Sequence, residues 1–353
     1  MEFDSLICNW DGETLITHYD RLTGAWIFIA LHSTRRGPAC GGTRMKTYPD
    51  VQSALQDVLK LSAGMTFKFA AANFQFGGGK AVIALPPHFD VSLRAELLRR
   101  YGALIRQLGG LYYTGPDVGT TSADMDVIAE TVAPFVFART LQAGGAGDSG
   151  VITALGVFHA MQTTCATLDG NPSLAGRKVL VQGAGTVGKT LINHLLKAGA
   201  QVCFSDVDPA AIEYGRTKLG LSFVPPDQVY STPCDLFAPC ALGGILNAVT
   251  IPTLHCRAIV GAANNQLDSL DDAESLRNRN ILYAPDFVIN LGGAIGITGI
   301  EALHWSQTEA EQRVIDAVTR TLREVFDLAR NESISTDTAA RRIVQARLGE
   351  HHK

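Results

Sequence analysis

Lys68 and Lys80 are the residues of this sequence whose type and spacing most clearly suggest chemistry. Lys68 precedes an apolar stretch, residues 69–76, and Lys80 directly follows the glycines of residues 77–79. Lysine is rarely buried without a partner, so a pair of lysines in one apolar neighbourhood indicates a site for an anion. Crowding and burial both lower the pKa of a lysine, and a neutral lysine acts as a base. Surface lysines with buried stems are the alternative.

A second pattern is typical of a nucleotide site. Residues 178–182 are predicted to form a strand that runs into Gly183-Ala184-Gly185-Thr186-Val187-Gly188, and an apolar-faced helix follows. In such a turn the first glycine makes the bend, the second lets the backbone approach a pyrophosphate, and the third packs helix on strand. The helix N-terminus offers free N–H groups to the phosphates. The pattern therefore predicts a dinucleotide site.

Asp206 is predicted to complete this site, because it ends the next strand. A carboxylate at that place accepts hydrogen bonds from the adenosine ribose and repels a 2′-phosphate, which favours NAD over NADP. The alternative is a cap for a helix at residues 209–219. Further turns rich in glycine or alanine are predicted to line the nicotinamide side of the crevice, at residues 238–244, 261–265 and 290–294. Simple tight turns are the alternative for each.

The elements that position these residues alternate between strands and helices. A helix capped by Asp50 is predicted to carry Lys68, and Asp117 is predicted in a loop, residues 114–119. Thr121 and Asp124 then resemble a capping box for the next helix. Predicted strands in this half are residues 25–31, 81–85 and 111–113.

The chain length of 353 residues indicates two domains. A glycine run, residues 144–150, is predicted as the hinge between them, with an ordinary surface loop as the alternative. We predict an α/β fold with a substrate-binding and oligomerisation domain in residues 1–140 and a Rossmann-type NAD-binding domain in residues 141–330, separated by a cleft. A C-terminal helix in residues 331–353 is predicted to pack back toward the first domain.

Composition excludes several classes of function. A net charge of -4 provides no basic field for nucleic acid and no polybasic membrane patch. The seven cysteines are scattered without a C-x-x-C pair, and the nine histidines form no metal motif, so we expect reduced thiols and no metal. The N-terminus lacks a signal region and no run is expected to reach membrane-spanning length. We expect a cytoplasmic protein.

Several motifs together resemble the glutamate/leucine/phenylalanine/valine dehydrogenases in order and spacing, over nearly the whole chain. They are Gly37-Pro38-Ala39-x-Gly41-Gly42-Thr43-Arg44, Met65-Thr66-x-Lys68, Gly77-Gly78-Gly79-Lys80, Asp117-Val118-Gly119-Thr120, Gly183-x-Gly185-x-x-Gly188 and Ala263-Asn264-Asn265. Residues 114–118, 231–240 and 283–288 are most similar to the L-phenylalanine dehydrogenases of this family.

The resemblance implies roles for individual residues. Lys68 would bind the substrate carboxylate, Lys80 would be the general base of low pKa, and Asp117 would exchange protons with the amino group. Asp117 as a loop residue that caps the following helix is the alternative. Residues implied to bind substrate are Lys68, Asn265, Gly41, Met65, Cys40, Gly115, Ala294 and Ile297. Residues implied to bind cofactor are Gly183, Gly185, Thr186, Val187, Gly188, Asp206, Thr153, Ala241, Ala263, Asn265 and Asn290.

The implied reaction is the reversible oxidative deamination of an L-amino acid by NAD, yielding a 2-oxo acid and ammonia. Gly115 and Ala294 are smaller than the matching residues of leucine-type enzymes, which favours L-phenylalanine, whereas Cys40 and Ile297 are larger than expected. Leucine, valine or tryptophan as substrate remain alternatives. A non-catalytic NAD-binding module and a hydroxy-acid dehydrogenase are alternatives of other classes. We also expect a homo-oligomer with only small-molecule substrates.

Overall fold

The computed structural model describes residues 3–349, which form two compact units. The first unit contains the described residues of Met1–Ser149, Ile297–Ser306 and Arg347–Lys353. The second unit contains Gly150–Gly296 and Gln307–Ala346. Residues 1–2 and 350–353, which the predicted domain limits include, lie outside the described residues.

Strands and helices alternate along both units. The strands are β1 Thr14–Asp20, β2 Ala25–Ser33, β3 Ala39–Thr47, β4 Gly77–Leu85, β5 Tyr112–Pro116, β6 Lys178–Gln182, β7 Gln201–Ser205, β8 Ser222–Phe223, β9 Leu236–Pro239, β10 Ala258–Ile259 and β11 Leu282–Tyr283. The helices are α1 Phe3–Trp10, α2 Val51–Ala71, α3 Arg94–Gln107, α4 Ser122–Val132, α5 Gly150–Asp169, α6 Thr186–Lys197, α7 Pro209–Glu213, α8 Asp271–Asn278, α9 Asp286–Ile289, α10 Gly292–Leu303, α11 Gln307–Glu332 and α12 Thr336–Gly349.

The first unit is built on a five-stranded mixed sheet with the order β1-β2-β4-β3-β5. β1 and β4 run antiparallel to β2, while β4 and β5 run parallel to β3. Alternate side chains of the sheet form two cores, because successive residues of a strand point to opposite faces. Phe28 and Val82 pack with residues of α2 on one face, and Ile29 and Ile83 pack with residues of α3 and α4 on the other.

Helix starts follow the predicted capping residues. Asp50 accepts a hydrogen bond from the backbone N–H of Ser53 at the start of α2. At the start of α4, Thr121 and Asp124 form the predicted capping box, each side chain accepting from the backbone N–H of the other. These caps satisfy N–H groups that have no partner inside the helix, so they fix where each helix begins.

Two strands differ from their predicted limits. β4 begins at Gly77 rather than at residue 81, and β5 runs to Pro116 through a stretch predicted as a loop. Glycine lowers strand propensity, which hid both extensions in the sequence. The close approach of neighbours explains the glycines: a Cβ at Gly77 would lie 2.0 Å from the carbonyl oxygen of Ser33, and one at Gly78 would lie 2.0 Å from the backbone nitrogen of Thr66.

The second unit is built on a six-stranded sheet with the order β11-β10-β9-β6-β7-β8. All its neighbouring strands are parallel, and the chain reverses its direction across the sheet after β8. This order is that of a doubly wound, Rossmann-type sheet, in which ligands bind beyond the carboxyl ends of the strands. The predicted α/β fold with a Rossmann-type domain is therefore confirmed.

Two helical stretches among residues 3–349 are long and apolar enough to span a membrane: α5, Gly150–Asp169, and the continuous stretch of α9 and α10, Asp286–Leu303. The expectation that no run reaches this length is therefore wrong. The most apolar windows of these helices are 56% and 72% buried within the fold. Core helices of globular proteins show the same composition, because they are apolar on most sides.

The C-terminal end of α12 is joined to the C-terminal end of α2 by hydrogen bonds of two arginines. The buried Arg36 side chain donates to the carbonyl oxygens of Phe74 at 3.1 Å and Arg347 at 2.9 Å. Arg347 in turn donates to the carbonyl oxygen of Ala70 at 3.3 Å and to that of Ala71. The last turns of both helices are thus capped by guanidinium groups, which complement the negative helix ends.

Candidate active site

Lys80 and Asp117 form a buried ion pair in the first unit. Lys80 lies in β4 and is only 5% exposed, and Asp117 follows directly after the end of β5. The Lys80 ammonium contacts Asp117 Oδ2. Strand pairing explains the meeting, because β3 lies between β4 and β5 and pairs in parallel with both. The structure thus brings the two predicted catalytic residues together.

Asp117 is held by a second cation and by the backbone. Its Oδ1 accepts from Arg44 Nε at 2.9 Å and from the Val118 backbone N–H at 2.5 Å. Burial would raise the pKa of Asp117, but the charges of Lys80 and Arg44 outweigh it and hold this pKa well below its usual range. Asp117 is therefore a carboxylate at every physiological pH. The alternative role, a cap for α4, belongs to Thr121.

The ion pair continues into a network that the sequence did not predict. Arg44 Nη1 donates to both carboxylate oxygens of Asp57, at 3.2 and 3.0 Å. The Tyr48 hydroxyl donates a hydrogen bond to Asp57 Oδ2 at 2.6 Å. Burial and then the hydrogen bond to Asp57 raise the pKa of Tyr48, which keeps it neutral. The sequence held one indication of this network: Arg44 is a charged residue inside the otherwise buried strand β3, and such a residue needs a partner.

Lys68 and Met65 lie in the last turns of α2, both half-buried. The helix stands close to the sheet at this point, because glycines in β3 and β4 carry no side chain. A Cβ at Gly41 would lie 1.9 Å from the carbonyl oxygen of Gly79 and 3.0 Å from Met65 Cγ. Gly41 is buried against backbone and Met65, so close packing explains why this position is a glycine.

Three residues predicted to line the side-chain pocket belong to the first unit: Cys40, Gly115 and Ile297. Cys40 in β3 is buried, and its Sγ lies 4.0 Å from Oγ1 of Thr298, the residue after Ile297 in α10. Burial raises the pKa of the Cys40 thiol to about 12, so it is a small neutral group. Gly115 in β5 has room beside it, since a Cβ there would meet only the Phe137 carbonyl oxygen, at 3.7 Å.

The glycine turn of the second unit has the geometry that its motif predicts. Gly183 has φ +97°, and Gly188 lies against it, since a Cβ at Gly188 would be 1.9 Å from the Gly183 carbonyl oxygen. Gly185 caps α6, and a Cβ there would meet no protein atom within 4 Å. Thr186 and Val187 open the helix. The turn therefore leaves exposed backbone N–H groups and space for a pyrophosphate, which fits NAD.

Asp206 follows β7 and holds the glycine turn. Its Oδ2 accepts from the Ala184 backbone N–H at 2.6 Å, and its Oδ1 accepts from Val207 and Asp208 at 2.7 and 2.8 Å. The cap of α7 is Asp208, whose side chain accepts from Ala210. The alternative reading of Asp206 as a helix cap is therefore wrong, and its carboxylate lies beside the turn as a ribose-binding acid does.

The remaining predicted residues lie at the carboxyl ends of further strands of the second unit or beside them. The backbone of Ala241, beyond β9, adjoins Gly183, and the backbone of Thr153 in α5 adjoins Gly292. Asn290 donates to the carbonyl oxygen of Ala262 and to Asn264 Oδ1, each at 3.0 Å. The Oδ1 atom of Asn290 is buried and accepts no hydrogen bond from the described residues. A carboxamide N–H, as nicotinamide carries, would satisfy it.

Asn265 is exposed and has a left-handed backbone, with φ +52°. Its N–H donates to Asp286 Oδ2 at 2.6 Å, and its carbonyl accepts from Gly244 at 2.7 Å. The backbone of this turn is therefore fixed while the side chain stays accessible. The predicted residues are therefore divided between the two units. Ala263, Asn265 and Ala294 belong to the second unit. Ile297 lies in the same helix as Ala294, α10, but belongs to the first unit.

Two family descriptions match most of the chain. Residues 19–133 match the family described as Glu/Leu/Phe/Val dehydrogenase, dimerisation domain, and residues 144–214 and 204–353 match that described as Glutamate/Leucine/Phenylalanine/Valine dehydrogenase. The chain is 42% identical to a phenylalanine dehydrogenase of Lysinibacillus sphaericus over 338 residues, which is 94% of this chain and 87% of that protein.

Other relatives carry different substrate names. The chain is 37% identical to a leucine dehydrogenase of Geobacillus stearothermophilus over 348 residues, covering 99% of this chain and 94% of that protein. It also resembles the crystal structure of L-tryptophan dehydrogenase from Nostoc punctiforme, with a TM-score of 0.82, 36% identity and 99% of each chain covered. The chain belongs to the glutamate/leucine/phenylalanine/valine dehydrogenase family and is an NAD-dependent amino-acid dehydrogenase.

Proposed function

We propose that this enzyme catalyses the reversible oxidative deamination of L-phenylalanine to its 2-oxo acid and ammonia. The observation that carries the proposal is the ion pair of Lys80 and Asp117, a buried base candidate in contact with a carboxylate. Such a pair is costly to bury and is typical of sites that move protons. Lys68, on the helix that covers the Lys80 face of the sheet, binds the substrate carboxylate.

The protein groups move protons and exclude water, while bound NAD supplies the hydride acceptor. Asp117 removes a proton from the substrate ammonium group, which leaves an amine that can form an iminium. Lys80, when neutral, takes a proton from the water that attacks the iminium carbon. Asp117 then returns its proton to the nitrogen and takes the proton of the new hydroxyl group as the carbon–nitrogen bond breaks, which releases ammonia and leaves the 2-oxo acid. Burial of the pair keeps bulk water from competing in these transfers.

The choice of phenylalanine is supported by the space beside Gly115 and by aromatic side chains of the same unit. Tyr113 stacks on Phe137 with ring centroids 5.1 Å apart, and Phe76 meets Tyr113 edge to face at 5.7 Å. Aromatic surroundings favour an aromatic ligand, since such ring pairs are worth about 0.5–1.5 kcal/mol beyond area burial. The similarity to phenylalanine dehydrogenases points the same way. Buried Cys40 and Ile297 instead favour a smaller aliphatic side chain.

Initial rates with a panel of L-amino acids test the proposal. Reduced NAD is followed at 340 nm with phenylalanine, tryptophan, leucine, valine and glutamate as substrates. We expect kcat/KM to be highest for phenylalanine and to fall by about 10- to 200-fold for aliphatic substrates. A higher kcat/KM for leucine or tryptophan would refute the substrate choice and leave the chemistry intact. Absence of turnover with every amino acid would refute the chemistry.

We also propose that the enzyme is a homo-oligomer. Residues 19–133 match a family described as a dimerisation domain, and β1 is an edge strand whose outer side is available for pairing. Light scattering after size-exclusion chromatography measures the mass directly. A particle of 37.7 kDa, the mass of one chain, would refute this proposal.

A further inference from the structure

The carboxylate of Asp117 is shared by two cations. Asp117 Oδ2 contacts Lys80, and its Oδ1 accepts from Arg44 Nε at 2.9 Å. The Asp117 side chain is 17% exposed and that of Lys80 is 6% exposed, so solvent screens these charges weakly. A lysine beside an unshared carboxylate would keep its proton firmly, which opposes the action of a base.

Arg44 is in turn held by a second acid. Its Nη1 lies 3.0 Å from Asp57 Oδ2 and 3.2 Å from Asp57 Oδ1, and Tyr48 donates to the same carboxylate at 2.6 Å. The charges therefore alternate from Lys80 through Asp117 and Arg44 to Asp57. The groups come from three separate elements, β4, β3 and α2, and from the loops that follow β5 and β3.

We propose that Arg44 and Asp57 are positioning residues that set how readily Lys80 gives up its proton. The proposal rests on the proposed role of Lys80 as the base. Arg44 shares the charge of Asp117 and repels the Lys80 ammonium, so it favours the neutral amine. Asp57 offsets part of the Arg44 charge and acts in the opposite direction. The balance of these two groups fixes the pH range in which the base is available.

Other titratable groups of the first unit are the same in the wild-type enzyme and in variants of Arg44 and Asp57. Cys40 of β3 is a neutral thiol, and burial lowers the pKa of His32 in β2 and raises that of Tyr113 in β5. These groups set a constant background against which Arg44 and Asp57 are altered.

The test is the pH dependence of kcat/KM for oxidative deamination, whose acidic limb reports the protonation of the base. Arg44→Gln should move this limb to higher pH by about one to two units, and Asp57→Asn should move it to lower pH by about half a unit to one. Arg99→Gln and Glu130→Gln are matched controls. They alter charges of an exposed pair in the same unit, at 43% and 52% side-chain exposure, and should leave the limb in place.

The acidic limb is expected to shift in opposite directions in Arg44→Gln and Asp57→Asn. A general loss of order at the site would shift both limbs in the same direction. Unmoved limbs, or limbs moved in one common direction, overturn the proposal. If Arg44→Gln does not fold, the sign of the Asp57→Asn shift decides alone.

A second readout does not depend on catalysis. The rate of Lys80 acetylation by acetic anhydride, followed by mass spectrometry across pH, reports the neutral amine directly. The same opposite shifts are expected, and equal profiles in the wild-type enzyme and both variants would overturn the proposal. A wild-type enzyme that oxidises no amino acid would refute the proposed function, while the acetylation profiles would still decide whether Arg44 and Asp57 control Lys80.

Discussion

The Lys80 network of the first unit and the glycine turn of the second are built on opposite principles. The network consists of charged side chains from separate elements, and it depends on Asp117 being shared between Lys80 and Arg44. The turn works through the absence of side chains, since Gly185 faces open space and Gly188 touches backbone. Charge changes should therefore damage the first site, whereas added atoms should damage the second.

Lys80→Ala is the strongest test of this contrast. Loss of a general base lowers kcat by about 10²- to 10⁴-fold. The affinity for NAD should remain, because the glycine turn belongs to the other unit. Stopped-flow turnover and fluorescence titration with NAD measure the two quantities separately. Turnover within tenfold of the wild-type value would show that Lys80 is not the base.

Gly188→Ala tests the turn by adding one methyl group. The new Cβ would lie 1.9 Å from the Gly183 carbonyl oxygen, so α6 must move away from the turn. We expect a loss of about 1–3 kcal/mol in the free energy of unfolding, typical of overpacking. Urea denaturation followed by circular dichroism measures it.

Gly185→Ala is the matched control for Gly188→Ala. Its Cβ meets no protein atom within 4 Å, so stability should be kept while NAD binds more weakly. Equal destabilisation by both substitutions would contradict the assignment of packing to one glycine and ligand approach to the other.

Gly115→Ala tests whether the shape of the first unit, in addition to its charges, determines which substrate the enzyme prefers. The nearest atom to the added Cβ is the Phe137 carbonyl oxygen at 3.7 Å, so the fold should accept it. We expect the preference for phenylalanine over leucine to fall by about tenfold, the effect of roughly one methyl group in an apolar pocket. The ratio of the two kcat/KM values measures this. An unchanged ratio would place Gly115 outside the side-chain pocket.

The smallest effect is expected for an exposed ion pair, Arg330 with Asp327 in α11. These side chains are 68% and 60% exposed, in contrast to the buried Lys80 pair. Solvent screens such pairs, so Arg330→Ala should leave the free energy of unfolding unchanged within error. Thermal denaturation provides the comparison. A clear loss would mean that charge pairing matters here independently of burial.

The same contrast explains what the sequence could predict. The glycine turn occupies six consecutive residues, and each residue has a local mechanical reason, so the motif predicted Gly183, Gly185, Gly188 and Asp206 in their observed arrangement. The sequence also indicated Lys80 and Asp117, but as separate residues. Their contact depends on the register of β4 and β5 about β3, which no local pattern encodes.

Arg44, Asp57 and Tyr48 show the limit more sharply. Arg44 and Asp57 are 13 residues apart and lie on different elements, a strand and a helix. Charged residues at such spacings are common on protein surfaces, so apart from the place of Arg44 in an otherwise buried strand the sequence did not distinguish these residues from solvent-exposed ones. The predicted start of β4 was wrong for a related reason. Its glycines are typical of a turn, but in the structure they belong to the strand, because the backbone of neighbouring elements leaves no room for a side chain there.

The reciprocal arginine caps at the ends of α2 and α12 have a practical consequence for handling the enzyme. Proteolytic trimming back to Ala346 would remove the carbonyl oxygen that Arg36 Nη1 binds at 2.9 Å, and with it the guanidinium that caps α2. Charge-assisted bonds of this kind are worth about 1.5–3 kcal/mol each. Because α2 carries Lys68, the proposed carboxylate-binding residue, in its last turn, a cut near residue 347 should weaken substrate binding and leave the dinucleotide turn intact.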